Sequence, residues 1–429
     1  MNEEFLHFLW QYKYYKPGLF FTDQDHQMEV IHPGLPNSNA GPDFFNAKIK
    51  LDEVIWAGNV EIHIHASDWY RHSHHQDPLY DNVVLHVVLH NDREIVNSSG
   101  RLIPCWEMDV PGNILEDYQS LKSHKGWVAC ENYISDVPRF EMDAWIERML
   151  IEKLEKKVAG ISELLASYRN DWQQVFFVVL SRNFGFGLNG DPFEHLARQI
   201  PWQYILKNAD SYIKLEALFL GQAGFLEVLL HEDKYVQMLV REYRLMKHKY
   251  DLSPMPAHLW KFLRMRPGNF PTVRLVQLAA LISGNPFLFD KLLACKKLNN
   301  ARSLLCVKPS EYWHNHYRPG VEGPPKSKKT GKQTIDLIII NTVIPLFFAY
   351  GKLRSNSALQ QRALDWLSEL SPEKNSIVSG WERPSIGIKA QSSAQSQGLV
   401  YLKQNYCNHR KCLSCRVGHR ALSSNFVQK

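Results

Sequence analysis

The stretch GPDFFNAKIKLDEVIWAGNVEIHIH, residues 41 to 65, alternates apolar and polar side chains on both sides of a turn near Leu51 to Ala57. Successive side chains of a strand point to opposite faces, so this pattern constrains the segment to a β-hairpin. On the second strand Asn59, Glu61, His63 and His65 share one face, while Val60, Ile62 and Ile64 share the other. Asp43 enters the first strand behind a Gly-Pro pair. Any fold that buries the aliphatic face of this hairpin is left with a row of metal-capable side chains on the opposite face.

The neighbouring residues extend the sheet. Residues 3 to 14 place Phe5, Leu6, Leu9 and Trp10 at helical spacing, which predicts an amphipathic opening helix. Gly18 to Pro33 reads as two short strands around a turn at Asp23 to Asp25, and Asp77 to Asn82 as a short helix or turn. VVLHVVLH, from Val83 to His90, is β-branched enough for the middle of a sheet.

Two carboxylates held close together repel unless a divalent cation lies between them, and hard cations favour oxygen ligands. Asp43 and Glu61 are therefore read as a site for Mg2+ or Mn2+, able to polarise a phosphoryl oxygen and acidify a bound water. His63 either donates to or deprotonates that water, or serves as a third ligand, with His65 as an additional one. Seven of the chain's 19 histidines lie between His63 and His90. A His-x-His strand joined by one of His72 to His75 would also suit zinc, while His72 and His75 could instead lie over a substrate phosphate.

At the other end, Cys407, Cys412 and Cys415 form a C-x4-C-x2-C array among basic residues, a spacing that wraps zinc or an iron-sulfur cluster. A fourth ligand is required, and His409, His419 and the distant Cys130 are the candidates. Cys105, Cys295 and Cys306 stand alone in apolar surroundings and read as core residues. An odd total of seven cysteines argues against a secreted disulfide framework.

From about Glu141 helical periodicity takes over, at 141 to 169, 171 to 184, 215 to 230, 271 to 282 and 356 to 370, with breaks at 185 to 192, 251 to 257 and 318 to 333. The apolar run from Thr334 is interrupted by Asp336, Asn341 and Pro345 and reads as a buried helix, with no membrane span expected. No signal peptide is visible, and a cytoplasmic location is expected. The formal net charge of +6 permits a polyanion partner. Arg264, Arg266 and Arg274, flanked by Trp260 and Phe270, are the nucleic-acid contacts expected from charge and stacking, with DNA ahead of RNA.

Pro42, Asp43, Glu61 and His63 resemble the PD-(D/E)XK nuclease motif, a Pro-Asp entering one strand and Glu-x-Lys on the next, with histidine at the lysine position. The resemblance implies a helix, antiparallel strands, a crossover and an inner strand around the site. It also implies an acidic residue of the first helix as a further ligand, Glu4 first and Glu3 next. Some nucleases of that superfamily hold an iron-sulfur cluster with one cysteine ahead of the core's end and three behind, which favours Cys130. Over nearly its whole length, through NAGPDFFNAKI, GNVEIHIHASDW, VVLHVVLHND, RMRPGNFPTVRL and the cysteine array, the chain is similar to the bacterial family catalogued as domain of unknown function 2851.

The expected architecture is α+β: a mixed α/β nuclease-like sheet domain at 1–125, an α-helical domain at 126–385 and a cysteine metal-binding segment at 386–429. The expected activity is metal-dependent hydrolysis of DNA or RNA phosphodiester bonds. A non-catalytic nucleic-acid-binding protein with a decayed site and a zinc-dependent small-molecule hydrolase stand as alternatives.

Overall fold

The computed structural model describes residues 1–15, 20–226 and 232–423, and the chain opens with helix α1, Glu3–Tyr12. Its buried face is the predicted stripe, Phe5, Leu6, Leu9 and Trp10, joined by Phe8, and the helix stops where Lys13 turns left-handed at φ 55°. Strands β1 (Phe20–Phe21), β2 (Gln27–His32), β3 (Leu35–Pro36), β4 (Phe44–Leu51) and β5 (Val54–His65) follow. The short helix α2 (Asp68–Arg71) then leads to β6 (Val83–His90), β7 (Cys105–Glu107) and helix α3 (Gly112–Ser123).

All seven strands form one mixed sheet in the order β1-β2-β4-β5-β6-β7, with β3 paired to the start of β4. The β4–β5 pair is the predicted antiparallel hairpin, whereas β6 runs parallel to β5 and β7 parallel to β6. Parallel neighbours cannot be joined by a tight turn, so the chain must cross over between β5 and β6. That crossover carries α2 and two single 3-10 turns, His74–Gln76 and Pro78–Tyr80, across the end of β5. Trp69, fully buried, pins it and donates its indole N–H to the Val96 carbonyl at 2.9 Å. Gly58 is where β6 joins: a Cβ there would lie 2.3 Å from Val84 and 2.6 Å from the Asn82 carbonyl, so only glycine admits the strand.

The chain forms two compact units, and neither matches the expected boundaries. The first is 1–145 together with 379–388 and 400–429, so the cysteine segment folds as part of the sheet unit. Its attachment is specific: Arg410 donates to the carbonyls of Leu121 and His124, and Lys403 to that of Trp127.

The second unit, 146–378 with 389–399, is helical around a single apolar core. The apolar run becomes one helix, Lys332–Leu353, wound through a π turn at Ile339–Val343. Among the described residues it is the one single helix long and apolar enough to cross a membrane, and 72% of its most apolar stretch is buried inside the unit. The expected break at 185 to 192 is instead helical, Phe186–Gln199, with Pro192 inside it. The 251 to 257 break does end a helix, at Tyr250, where Asp251 turns to φ 50°. The third holds a small hairpin, His316–Arg318 with Val321–Glu322. Part of the helix expected over 215 to 230 lies outside the described residues.

Candidate functional site

Asp43 and Glu61 meet across the β4–β5 hairpin. The Asp43 N–H donates to Glu61 Oε2 at 3.0 Å, and the Ile62 N–H donates to Asp43 Oδ2 at 3.0 Å, so each carboxylate is held by the other strand's backbone. A bulge after Phe44, with Asn46 at φ 56°, turns this end of β4 toward its neighbour. Glu61 is buried; burial first, and then the charge of Asp43, push its carboxyl up to about 9.

The site has a wall that the sequence motif did not disclose. His7, on α1, brings Nε2 to 3.2 Å from Asp43 Oδ2. Burial pulls this imidazole down, yet the Asp43 hydrogen bond and the charges of Asp43, Glu61 and Glu3 together carry it above its ordinary range. Glu3, one turn earlier, is therefore the acid of α1 whose field reaches the site. The exposed Glu4 acts electrostatically on Cys412 instead. The signal in the sequence was the i, i+4 pair Glu3 and His7 on one face of the opening helix.

On the other side of Glu61 stands a group of imidazoles. His63 Nε2 is 3.5 Å and His74 Nε2 3.3 Å from Glu61 Oε1. His72 Nδ1 lies 3.1 Å from His63 Nε2, while His63 Nδ1 is bonded to His86 Nε2 at 2.8 Å. Burial drives His63 down to about 2 and His86 to about 3, aided by the neighbouring rings, so both rings are neutral. His74 is held by stacking on Tyr80 at 3.8 Å between ring centres. Among the described residues, His63, His72 and His74 are a set of ligand atoms lying within 4.8 Å of one another.

The structure does not bring His65 or His75 to this group. His65 is exposed and leans on His90, with 5.2 Å between rings, and His75 rests on Tyr70. His72, expected over a substrate phosphate, lies in the imidazole group.

The cysteines converge within the same unit. Cys130 lies within electrostatic reach of Cys407, Cys412 and Cys415, and the Cys415 sulfur is hydrogen-bonded with Trp145. His409 is exposed, and His419 is occupied by Tyr14 at 3.4 Å and by the rings of Phe8 and Tyr12. Of the three candidates for a fourth ligand, Cys130 is the one whose thiol feels the charges of all three array cysteines.

Of the arginines, 264 and 266 are exposed. Arg274 is buried and unsuited to a phosphate contact. It lies on a helix buried nearly all round, donates to Gln277 and Asn269, sits over the Phe186 ring, and is lowered by burial to about 10. Trp260 is likewise a core residue, bonded to the Ala223 carbonyl. The aromatic pair there is half-buried, Phe262 against Phe270, with Arg318 over both.

A family model described as "Protein of unknown function (DUF2851)" matches residues 3–376. No curated protein and no solved structure matches the chain.

Proposed function

The chain belongs to that family, whose description leaves its chemistry open, and from the site itself we propose that it is a metal-dependent hydrolase of nucleic-acid phosphodiester bonds. The observation that carries this reading is the cross-clamped carboxylate pair Asp43 and Glu61, buried beside two histidines of opposite character. A bound Mg2+ or Mn2+ would supply Lewis acidity to the phosphoryl oxygen. Asp43 and Glu61 would hold it; His7, whose protonated form Asp43 favours against burial, is placed to give a proton to a departing oxygen. His63, held through both ring nitrogens by His72 and His86, is not placed to act as a lone base.

Two further features support the reading. The order of helix, antiparallel strands, crossover and parallel inner strand is the arrangement that the PD-(D/E)XK resemblance implies. Arg264 and Arg266 remain available as backbone contacts. The four cysteines are read as a structural centre for zinc or an iron-sulfur cluster, closed by Cys130 rather than by histidine.

A second reading, zinc-dependent hydrolysis of a small molecule, is favoured by the His63, His72 and His74 set. The test is cleavage of labelled single- and double-stranded DNA and RNA with Mg2+ or Mn2+, on protein purified without oxygen, beside Asp43→Asn and Glu61→Gln. Metal-dependent cutting abolished in both variants is the expected result. Binding without cutting would point to a non-catalytic nucleic-acid-binding protein, and neither would point to the small-molecule hydrolase.

A further inference from the structure

We propose that His63 Nε2, His72 Nδ1 and His74 Nε2 form a zinc site whose fourth position is Glu61 Oε1, a metal position distinct from the oxygen-lined one at Asp43. It draws on the hydrolase reading only for its place beside Asp43, with Glu61 as the shared wall.

The distances carry the proposal. Zinc sits about 2.0–2.1 Å from nitrogen or oxygen ligands, so the corners of its tetrahedron are about 3.3 Å apart. The observed separations are 3.1 Å from His63 to His72, 3.3 Å from His74 to Glu61 and 3.5 Å from His63 to Glu61. Three of the six ligand-to-ligand separations thus already stand at zinc's own spacing, and the three imidazole ligand atoms lie within 4.8 Å of one another. Three nitrogens and one oxygen select a borderline ion of this kind over Mg2+, which demands oxygen and octahedral geometry.

The surroundings are arranged as a ligand set requires. A metal-bound histidine donates its remaining N–H to a partner, which fixes the tautomer and aims the other lone pair. His63 has such a partner in His86, and His86 in turn has Cys105 Sγ at 4.0 Å from its Nδ1. His72 Nδ1 and His63 Nε2 face each other, which without a cation requires a proton between them; zinc takes that proton's place. His72 and His74 reach one point, although separated by a single residue, because Ser73 lies between them at φ 63°. Backbone held in the left-handed region by a residue other than glycine stores strain, and such strain collects at functional sites.

The experiment is a zinc titration of the metal-stripped full chain against a chromophoric chelator, beside His72→Ala, His74→Ala and His65→Ala. His72 is exposed, so its truncation leaves the core untouched. Wild type and His65→Ala should bind one zinc ion that His72→Ala and His74→Ala bind at least tenfold more weakly, in addition to whatever the cysteines retain. Equal zinc stoichiometry and affinity in wild type, His72→Ala and His74→Ala would overturn the site. Asp43→Asn should keep this zinc ion while losing Mg2+-dependent cleavage. A protein that binds zinc as described and cuts nothing therefore retains the zinc site and loses only the nuclease reading.

Discussion

Glu61 sets the acidity of the site, and the sign of its effect on folding can be worked out. Its folded carboxyl titrates at about 9 against 4.5 when free, so between those values the folded chain holds a proton that the unfolded chain has lost. The metal-free protein must then lose stability as pH rises through that window. His63 acts in the opposite sense: lowered from 6.5 to about 2, it removes stability as pH falls through that range. Glu61→Gln should stabilise the metal-free protein by about 2 kcal/mol at pH 7, with the gain vanishing near pH 4, as read from denaturant unfolding across pH. The same side chain makes cation binding competitive with a proton, so affinity at Asp43 and Glu61 should climb toward pH 9. His7 offers a second check. Asp43→Asn takes away the hydrogen bond and the first of the charges that raise it, leaving only Glu61 and Glu3 against burial, so its titration, followed by NMR, should move down. At this scale alternation made Asp43, Glu61 and His63 legible in the sequence. Arg274 was misread because a single positive charge says nothing about the helix around it, and here Val273, Leu275, Val276 and Leu278 are all buried with it.

Between strands and helices, the decisive element is the crossover. The hairpin and the inner strand Val83–His90 follow from their periodicity, as does α1. The meeting of His72 and His74 with His63 does not, because it depends on β6 running parallel to β5 and on one left-handed residue, neither of which is a local pattern. Ser73 therefore discriminates between a tolerant loop and a fixed one. Ser73→Gly should be neutral or slightly stabilising, whereas Ser73→Val should cost about 1–2 kcal/mol and weaken zinc binding, as measured by unfolding and titration together. Gly58→Ala should be destabilising for another reason, since the new methyl would strike Val84 and the Asn82 carbonyl where the crossover lands.

In the whole molecule the chain leaves the sheet unit after residue 145 and returns to it twice, at 379–388 and 400–429. That return was not legible from composition, which marked the last 44 residues as a segment of their own. Truncation after Trp145 would therefore remove three of the four converging cysteines. Cys130→Ser in the full chain should release bound metal as completely as Cys412→Ser does, with His409→Ala retaining it. Elemental analysis would show this, and limited proteolysis should open residues 400–423 in the two cysteine variants alone.

Helix α1 is a party wall. Glu3 and His7 look toward the carboxylates, while Glu4 and Phe8 look toward Cys412 and His419. A change at Cys412, such as its oxidation, would have ten residues of stiff helix through which to be felt next door, with His7 the side chain placed to feel it.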